Sequence, residues 1–422
     1  MTDTAQRATY DVAAVRDAYP ALADGWAYLD GAAGTQVPRA VIDAVARAWE
    51  AGIANHGGVF PASRRSDAHT SAARAAVADV VGAPSPDGVV LGPNMTTLTY
   101  RVAAALAATW SPGDEIVVTR LDHDANVRPW VQAAEHAGAT VRFVDPEMPS
   151  LELPAESFAP VICDRTRLVA VTAASNVVGT RPDVRAIADM AATRGALVFV
   201  DGVHATPHGP VDMAALGADI FATSAYKWSG PHIGALAADP ALWERLHPDK
   251  LASSPLEVPW RFETGTHPFA EHAGVAAAVD HLAGLAPAPG ATLTPSPDDQ
   301  GIPATRRQRL LTSMAAVDAY EATLFDVLVE GLASLEHVQT IGFPARRTAT
   351  VYFTVRGHSP AQVAEHCARA RVNVWAGHMY AWELTGLLGI RDAGSAVRAG
   401  LVHYNDASDV ARLLEALRDL RT

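Results

Sequence analysis

The stretch ALVFVDGVHATPHGPVDMAALGADIFATSAYKWSGPHIGAL, residues 196–236, decides how this chain folds. Two short apolar runs in it, Leu197 to Val200 and Ile220 to Thr223, read as buried strands, and each ends in polar groups: Asp201 after the first, Ser224 and then Lys227 after the second. Strands that are apolar throughout belong to a sheet covered on both faces by helices, and ligands of such sheets sit beyond the carboxyl ends of the strands. A carboxylate and a lysine at two neighbouring strand ends are the pair that pyridoxal phosphate (PLP) chemistry requires. The lysine holds the aldehyde, and the carboxylate keeps the pyridine nitrogen protonated so that the ring accepts electrons. Taken alone, the pair reads equally well as a strand-end aspartate and a surface lysine.

The alternation extends outward. RAVIDAVARAWEAG (39–52), SAARAAVADVVGA (71–83), NVRPWVQAAEHAG (126–138) and VRAIADMAATRG (184–195) have helical spacing. Between them GVVLG (88–92), EIVVT (115–119), TVRFV (140–144), RLVAVTAAS (167–175) and GALAA (234–238) read as further buried strands. The pattern predicts an α/β large domain, a mainly parallel sheet sandwiched by helices, over 21–285 behind an N-terminal arm, 1–20. APAPGATLTPSPDDQGIP (286–303) has five prolines and no apolar period, so it reads as a loop or linker. A long helical pattern, then strands and helices, predict a smaller α+β domain over 304–422.

Composition narrows the function classes. Of the 422 residues 49% are hydrophobic and 19% charged, as in a folded globular protein, and the length favours two cores. The net charge of −13 (33 − 46) and the lack of a basic stripe argue against nucleic acid or an anionic membrane as partner. No apolar run is long enough to span a membrane, and the charged N-terminus does not resemble a signal peptide, so a cytoplasmic location is expected. Two cysteines, Cys163 and Cys367, build no disulfide framework, and none of the sixteen histidines lies in a His-Glu-x-x-His or Cys-x-x-Cys arrangement, so no metal site is expected.

Several segments fit one cofactor with Lys227. GPNMTTLTY (92–100) is a strand, a polar turn and a helix start, where Thr96 and Thr97 offer a phosphate their hydroxyls and free N–H groups, or simply cap the helix. His123 follows the strand EIVVT and is placed to stack on a flat ring and move protons. Asn176, in SNVVGT (175–180), suits either a phenolic oxygen or a substrate carboxylate.

Together with YLDGAAGTQVP (28–38), HDANVRPW (123–130), VDGVHA (200–205), SAYKWSGPHIG (224–234), PWRFETGT (259–266) and VRAGLVHYN (397–405), the chain resembles the class V aminotransferase family of fold-type I PLP enzymes, in particular its cysteine desulfurase branch. The resemblance implies that Lys227 bonds the cofactor, that Asp201 pairs its pyridine nitrogen and that His123 stacks on its ring. It implies phosphate contacts from Ser224 and Thr96, and a homodimer with shared sites in which Gly265 and Thr266 reach the partner's phosphate. Arg398 would clamp the carboxylate of a small amino-acid substrate, a task that suits a planar bidentate donor.

The chain departs from the desulfurase pattern at several points. In WAGHMYAWEL (375–384) Tyr380 stands where those enzymes carry a nucleophilic cysteine, and Cys367 falls in an ordinary amphipathic helix. His204 stands where glutamine is usual, still able to meet the phenolic oxygen, and Tyr226 where many relatives have histidine. NHGGVFPASRRSD (55–67) resembles the substrate-side loop but carries Phe60 in place of a polar residue, and adds Arg64 and Arg65, which either serve the substrate or meet solvent or a partner subunit. The expected chemistry is loss of the Cα proton followed by β-elimination, without a protein persulfide. Transamination and epimerisation start from the same proton transfer, and a PLP-binding subunit without turnover is the remaining reading.

Overall fold

The computed structural model describes residues 10–286 and 304–420. The proline-rich stretch, apart from Ala286, and residues 1–9 of the N-terminal arm lie outside the described residues. The first strand, β1 (Ala27–Tyr28), is followed by β2 (Val89–Gly92), β3 (Glu115–Thr119), β4 (Thr140–Val144), β5 (Thr166–Thr172), β6 (Leu197–Asp201), β7 (Ile220–Ser224) and β8 (Gly234–Ala238). Strands β2 to β8 form one seven-stranded sheet in the order β2-β8-β7-β6-β5-β3-β4.

Period-two burial explains why the strands look apolar throughout. Val117, Val169, Val171, Val198, Val200 and Phe221 pack into the core on one face, and Ile116, Val118, Leu168, Ala170, Phe199 and Ala222 into the core on the other. Strands β3 to β7 pair in parallel, while β8 runs antiparallel to both its neighbours. The connection 225–233 holds Lys227 and is too short for the crossover that a parallel strand would need. Strand β4, read as buried, is an edge strand with alternating exposure. The helix read over 71–83 spans Pro61–Val81. Its first half, PASRRSDAHT, hides its helical period because Ser63, Ser66 and Thr70 are buried polar residues, with the Ser66 and Thr70 hydroxyls satisfied by backbone carbonyls.

The C-terminal unit holds β9 (Val338–Ile341), β10 (Thr350–Val355), β11 (Val372–Asn373), β12 (Trp375–Gly377) and β13 (Ala396–Gly400). An antiparallel sheet of order β12-β13-β10-β9 packs with the helices Arg306–Ala333, Pro360–Arg369 and Ala407–Asp419 around its own core. Strand β1 pairs in parallel with β11, and Asp30 bridges to Gly400. Residues 27–30, grouped with the large domain on sequence, are therefore stitched to the smaller unit, because the apolar side chains of Ala27 and Leu29 are buried in its core. Among the described residues no helix is long and apolar enough to cross a membrane.

Candidate active site

A cavity of about 260 Å³ opens where the carboxyl ends of the central strands face the small sheet. Of the residues singled out in the sequence, Thr96, His123, Asn176, Asp201, His204, Tyr226, Lys227, Tyr380 and Arg398 line it. Five others do not. Ser224 is fully buried just behind it, its hydroxyl accepting the Met95 N–H at 3.1 Å. Thr97 spends both its N–H and its hydroxyl on the helix cap Asn94 (2.9 and 3.0 Å). Thr97 and Thr266 line a second, larger cavity of about 660 Å³, with Gly265 beside Thr266 at φ +76°. Phe60 stands exposed at the start of the helix Pro61–Val81, away from both cavities. Near it Arg65 donates to the Gly52 carbonyl at 2.6 Å.

The lysine and the carboxylate face each other under burial. The Lys227 amine donates to the Ala32 carbonyl at 2.6 Å. Burial, and next the Arg398 charge, bring its pKa down to about 7, against the opposing pull of Asp201 and Asp30. The Asp201 carboxylate accepts the Val203 N–H at 2.9 Å, and burial raises its pKa to about 6. Perturbed groups of opposite type inside one cleft are a mark of function.

His123 is held in one tautomer. Its Nδ1 accepts the Ala125 N–H at 3.0 Å, and burial with the Lys227 and Arg398 charges lowers its pKa to about 3, so the neutral ring carries its proton on Nε2. His204 is also kept neutral, chiefly by burial. Its Nε2 meets the Thr348 and Thr350 hydroxyls at 3.0 and 3.1 Å. Gly179 makes this approach of the small domain possible: at φ +75° any Cβ there would lie 2.7 Å from the Thr348 carbonyl oxygen. Behind His204, His208 stands edge-on at 4.6 Å and bonds Glu321 through Nδ1 at 2.6 Å.

Arg398 is 3% exposed; its Nη1 donates to the Asn176 carbonyl at 2.9 Å, while its Nε has no partner among the described residues. Burial lowers its pKa to about 10, which leaves it charged at neutral pH. The Asn176 amide donates to the Met379 carbonyl at 2.9 Å, which leaves its Oδ1, an acceptor, as the unpaired end. A carboxylate or a phenolate calls for a donor, so in this orientation Asn176 suits a hydroxyl or an ammonium instead.

Sequence reasoning missed Ala32, Asp30, Asp122, Trp375 and Met379. Asp122 is fully buried, bonded to the Thr119 hydroxyl and the Asn126 amide, with a pKa raised by burial to about 7. Its place beside His123 was the available signal. The two cysteines lie elsewhere. Cys367 is buried in the core of the small unit, which pushes its thiol up to about 11. Cys163 precedes β5, at the amino end of the sheet, with its thiol 3.7 Å from the Glu115 carboxylate.

Known proteins share this fold. The family model described as Aminotransferase class-V matches residues 27–288 and 309–413. The chain belongs to the aminotransferase class-V family. Members of this family are PLP enzymes of fold type I. An uncharacterized protein of Mycobacterium tuberculosis (strain CDC 1551 / Oshkosh) is 36% identical over 413 residues, covering 97% of this chain and 99% of that protein. A cysteine desulfurase of Yersinia pestis (strain Pestoides F) is 29% identical, over 93% of this chain and 92% of its own. The crystal structure of the Escherichia coli cysteine desulfurase CsdA, in an S-sulfonic acid form, superposes with a TM-score of 0.82 at 27% identity, over 97% of this chain and 98% of that one. The apo cysteine desulfurase of Thermococcus onnurineus NA1 gives 0.84 at 26% identity, over 97% of each chain. The chain is thus a cysteine desulfurase-like member of its family.

Proposed function

We propose that this family member binds PLP in the 260 Å³ cavity, removes the α-proton of an amino-acid substrate and eliminates its β-substituent without loading sulfur on a cysteine of its own. The observation that carries the proposal is the meeting of Lys227, Asp201 and Arg398 in one cavity, with Tyr380 at the position where the desulfurase pattern has cysteine.

The residues fit the cofactor. Lys227 gives its amine to a backbone carbonyl, Asp201 offers a buried carboxylate, and His123 presents a neutral flat ring. Thr96 stands at the first turn of the helix Met95–Ala107, between the Met95 and Thr97 N–H groups that Ser224 and Asn94 already hold, and its own N–H suits a phosphate. Tyr226 and His204 supply further polar contacts, and Ser224 fixes the Met95 N–H behind the helix start. PLP, when bound, supplies the electron sink that makes a substrate's Cα–H acidic.

The chain's own groups then divide the work. Arg398 is positioned to bind the substrate carboxylate through its free Nε edge, which fixes where Cα lies. The Lys227 amine lines the cavity, is neutral above about pH 7, and takes the proton from Cα. His123 holds its proton on Nε2, available to a leaving group. With Cys367 buried and its thiol pushed to about 11, no thiolate is at hand to accept sulfur.

Gly265, Thr266, Phe60 and Arg64 do not line the central cavity. That supports the reading that they serve a second copy of the chain in a homodimer with shared sites.

The test is product analysis. Purified protein with added PLP is incubated with L-cysteine and S-substituted L-cysteines, and pyruvate and alanine are both assayed. Pyruvate formed with equimolar thiol or sulfide, on protein of unchanged mass, supports elimination. Alanine formed with a persulfide on Cys367 overturns it in favour of desulfuration, and an amino donor converted to its oxo acid would replace it with transamination.

A further inference from the structure

We propose that Trp375 and Tyr380 form a slot for the substrate's β-substituent, and that this substituent is a flat apolar group carried on sulfur, so that the substrate is an S-aryl or S-arylmethyl cysteine rather than free cysteine. This rests on the elimination reading and adds the substrate class to it.

Register places the slot beside the carboxylate clamp. Trp375 on β12 is paired directly with Arg398 on β13. Residues opposite one another in an antiparallel ladder project to the same face with Cβ atoms about 5 Å apart. A substrate held by Arg398 at its carboxylate therefore has an indole as its next neighbour. Trp375 is nevertheless 56% exposed and Tyr380 66%, although both line the cavity. Large aromatic surfaces left open at the mouth of a binding cavity mark a contact still to be made.

The loop that carries Tyr380 is held in a costly conformation. Met379 and Tyr380 both lie at positive φ, +52° and +58°, where a side chain with Cβ is disfavoured. Three bonds keep it there: Asp124 N–H to the Tyr380 carbonyl (2.7 Å), the Asn176 amide to the Met379 carbonyl (2.9 Å) and the Tyr352 hydroxyl to the Gly377 carbonyl (2.6 Å). The result is that the Tyr380 ring stacks on His123, with centroids 5.2 Å apart and planes at 27°. An aromatic group is thus fixed over the cavity at the position where a mobile nucleophile is expected from the desulfurase pattern.

The chemistry of the lining selects against small or charged substituents. The charged residues on it, Lys227, Asp201 and Arg398, are each committed to cofactor or carboxylate in the proposed function, and His123 is neutral. The thiol of free cysteine ends one atom past Cβ and leaves both aromatic faces uncovered. An aryl group on that sulfur covers them. The reaction balances: the Cα–H proton passes to Lys227 and its electron pair becomes the second bond of a Cα=Cβ double bond. The Cβ–S bond breaks with its pair on sulfur, which leaves as a thiolate. Water then converts the released aminoacrylate to pyruvate and ammonium.

The experiment separates binding from turnover. L-2-Amino-4-phenylbutanoate, in which CH₂ replaces the sulfur of S-phenyl-L-cysteine, cannot be eliminated. Its affinity for the PLP-loaded protein is measured by calorimetry against L-2-aminobutyrate, which lacks the ring. The slot predicts on the order of 10- to 100-fold tighter binding, the factor for burying one aromatic side chain, and loss of most of that preference in Trp375→Ala and Tyr380→Ala. Trp375→Phe should keep it. Equal affinity for the two amino acids, or a preference untouched by Trp375→Ala, overturns the slot. S-phenyl-L-cysteine is assayed for pyruvate in parallel: ring preference without pyruvate keeps the slot and rejects elimination, and pyruvate without ring preference does the reverse.

Discussion

The two walls of the cavity are built differently. The large-domain wall puts Asp201 and Lys227 at and just beyond the ends of β6 and β7, strands buried on both faces and continuous with the protein core. The small-domain wall puts Arg398 on a buried strand but Met379 and Tyr380 on a loop held at positive φ by bonds that reach back to Asp124 and Asn176. In the proposed function the groups needed for proton transfer stand on the rigid wall. Those proposed to meet the rest of the substrate stand on the wall that carries the loop. On that proposal the reaction type and the substrate are set by separate parts of the chain.

Substitutions on the two walls should therefore fail differently. The largest effect is expected for Lys227→Ala, which should abolish turnover and the visible absorbance of bound PLP. Turnover with an unchanged spectrum would remove the large-domain wall from the account. Arg398→Gln should raise KM by roughly 100-fold or more, as for truncating one partner of a buried charged contact, while PLP stays bound. Lost cofactor instead would erase the division between the walls.

A pH measurement sharpens the comparison, because Arg398 acts on Lys227 across the cavity. A depressed lysine pKa means that the neutral amine, the form that captures an aldehyde, predominates above about pH 7. The rate of PLP uptake by cofactor-free protein should rise through pH 7 and level off above it. In Arg398→Gln a positive neighbour is gone, the protonated amine is favoured, and the rise should move to higher pH. The smallest effect belongs to Cys367→Ala, with activity retained and stability lower by about 1 kcal/mol from a small core void, measured by denaturant titration.

The legibility of the sequence follows the same division. The central strands were readable because double-sided burial makes them apolar, and Lys227, Asp201 and His123 because each sits just past such a run. The reversed direction of β8 was written in the short connection 225–233. What stayed hidden depends on distant contacts. The return of residues 27–30 to the small unit, and the pairing of Trp375 with Arg398, are register facts between remote segments. The helix over 61–81 was half hidden because its buried polar side chains mask the period.

The most direct test of the account is proton exchange at Cα. PLP-loaded protein is incubated in D₂O with a mixture of common L-amino acids and of S-substituted L-cysteines, and the Cα–H signals are followed by proton NMR. The account predicts that at least one substrate loses its Cα–H signal with the wild-type protein, and that none does with Lys227→Ala. Retention of every Cα–H by the wild type, or exchange that persists in Lys227→Ala, would contradict it.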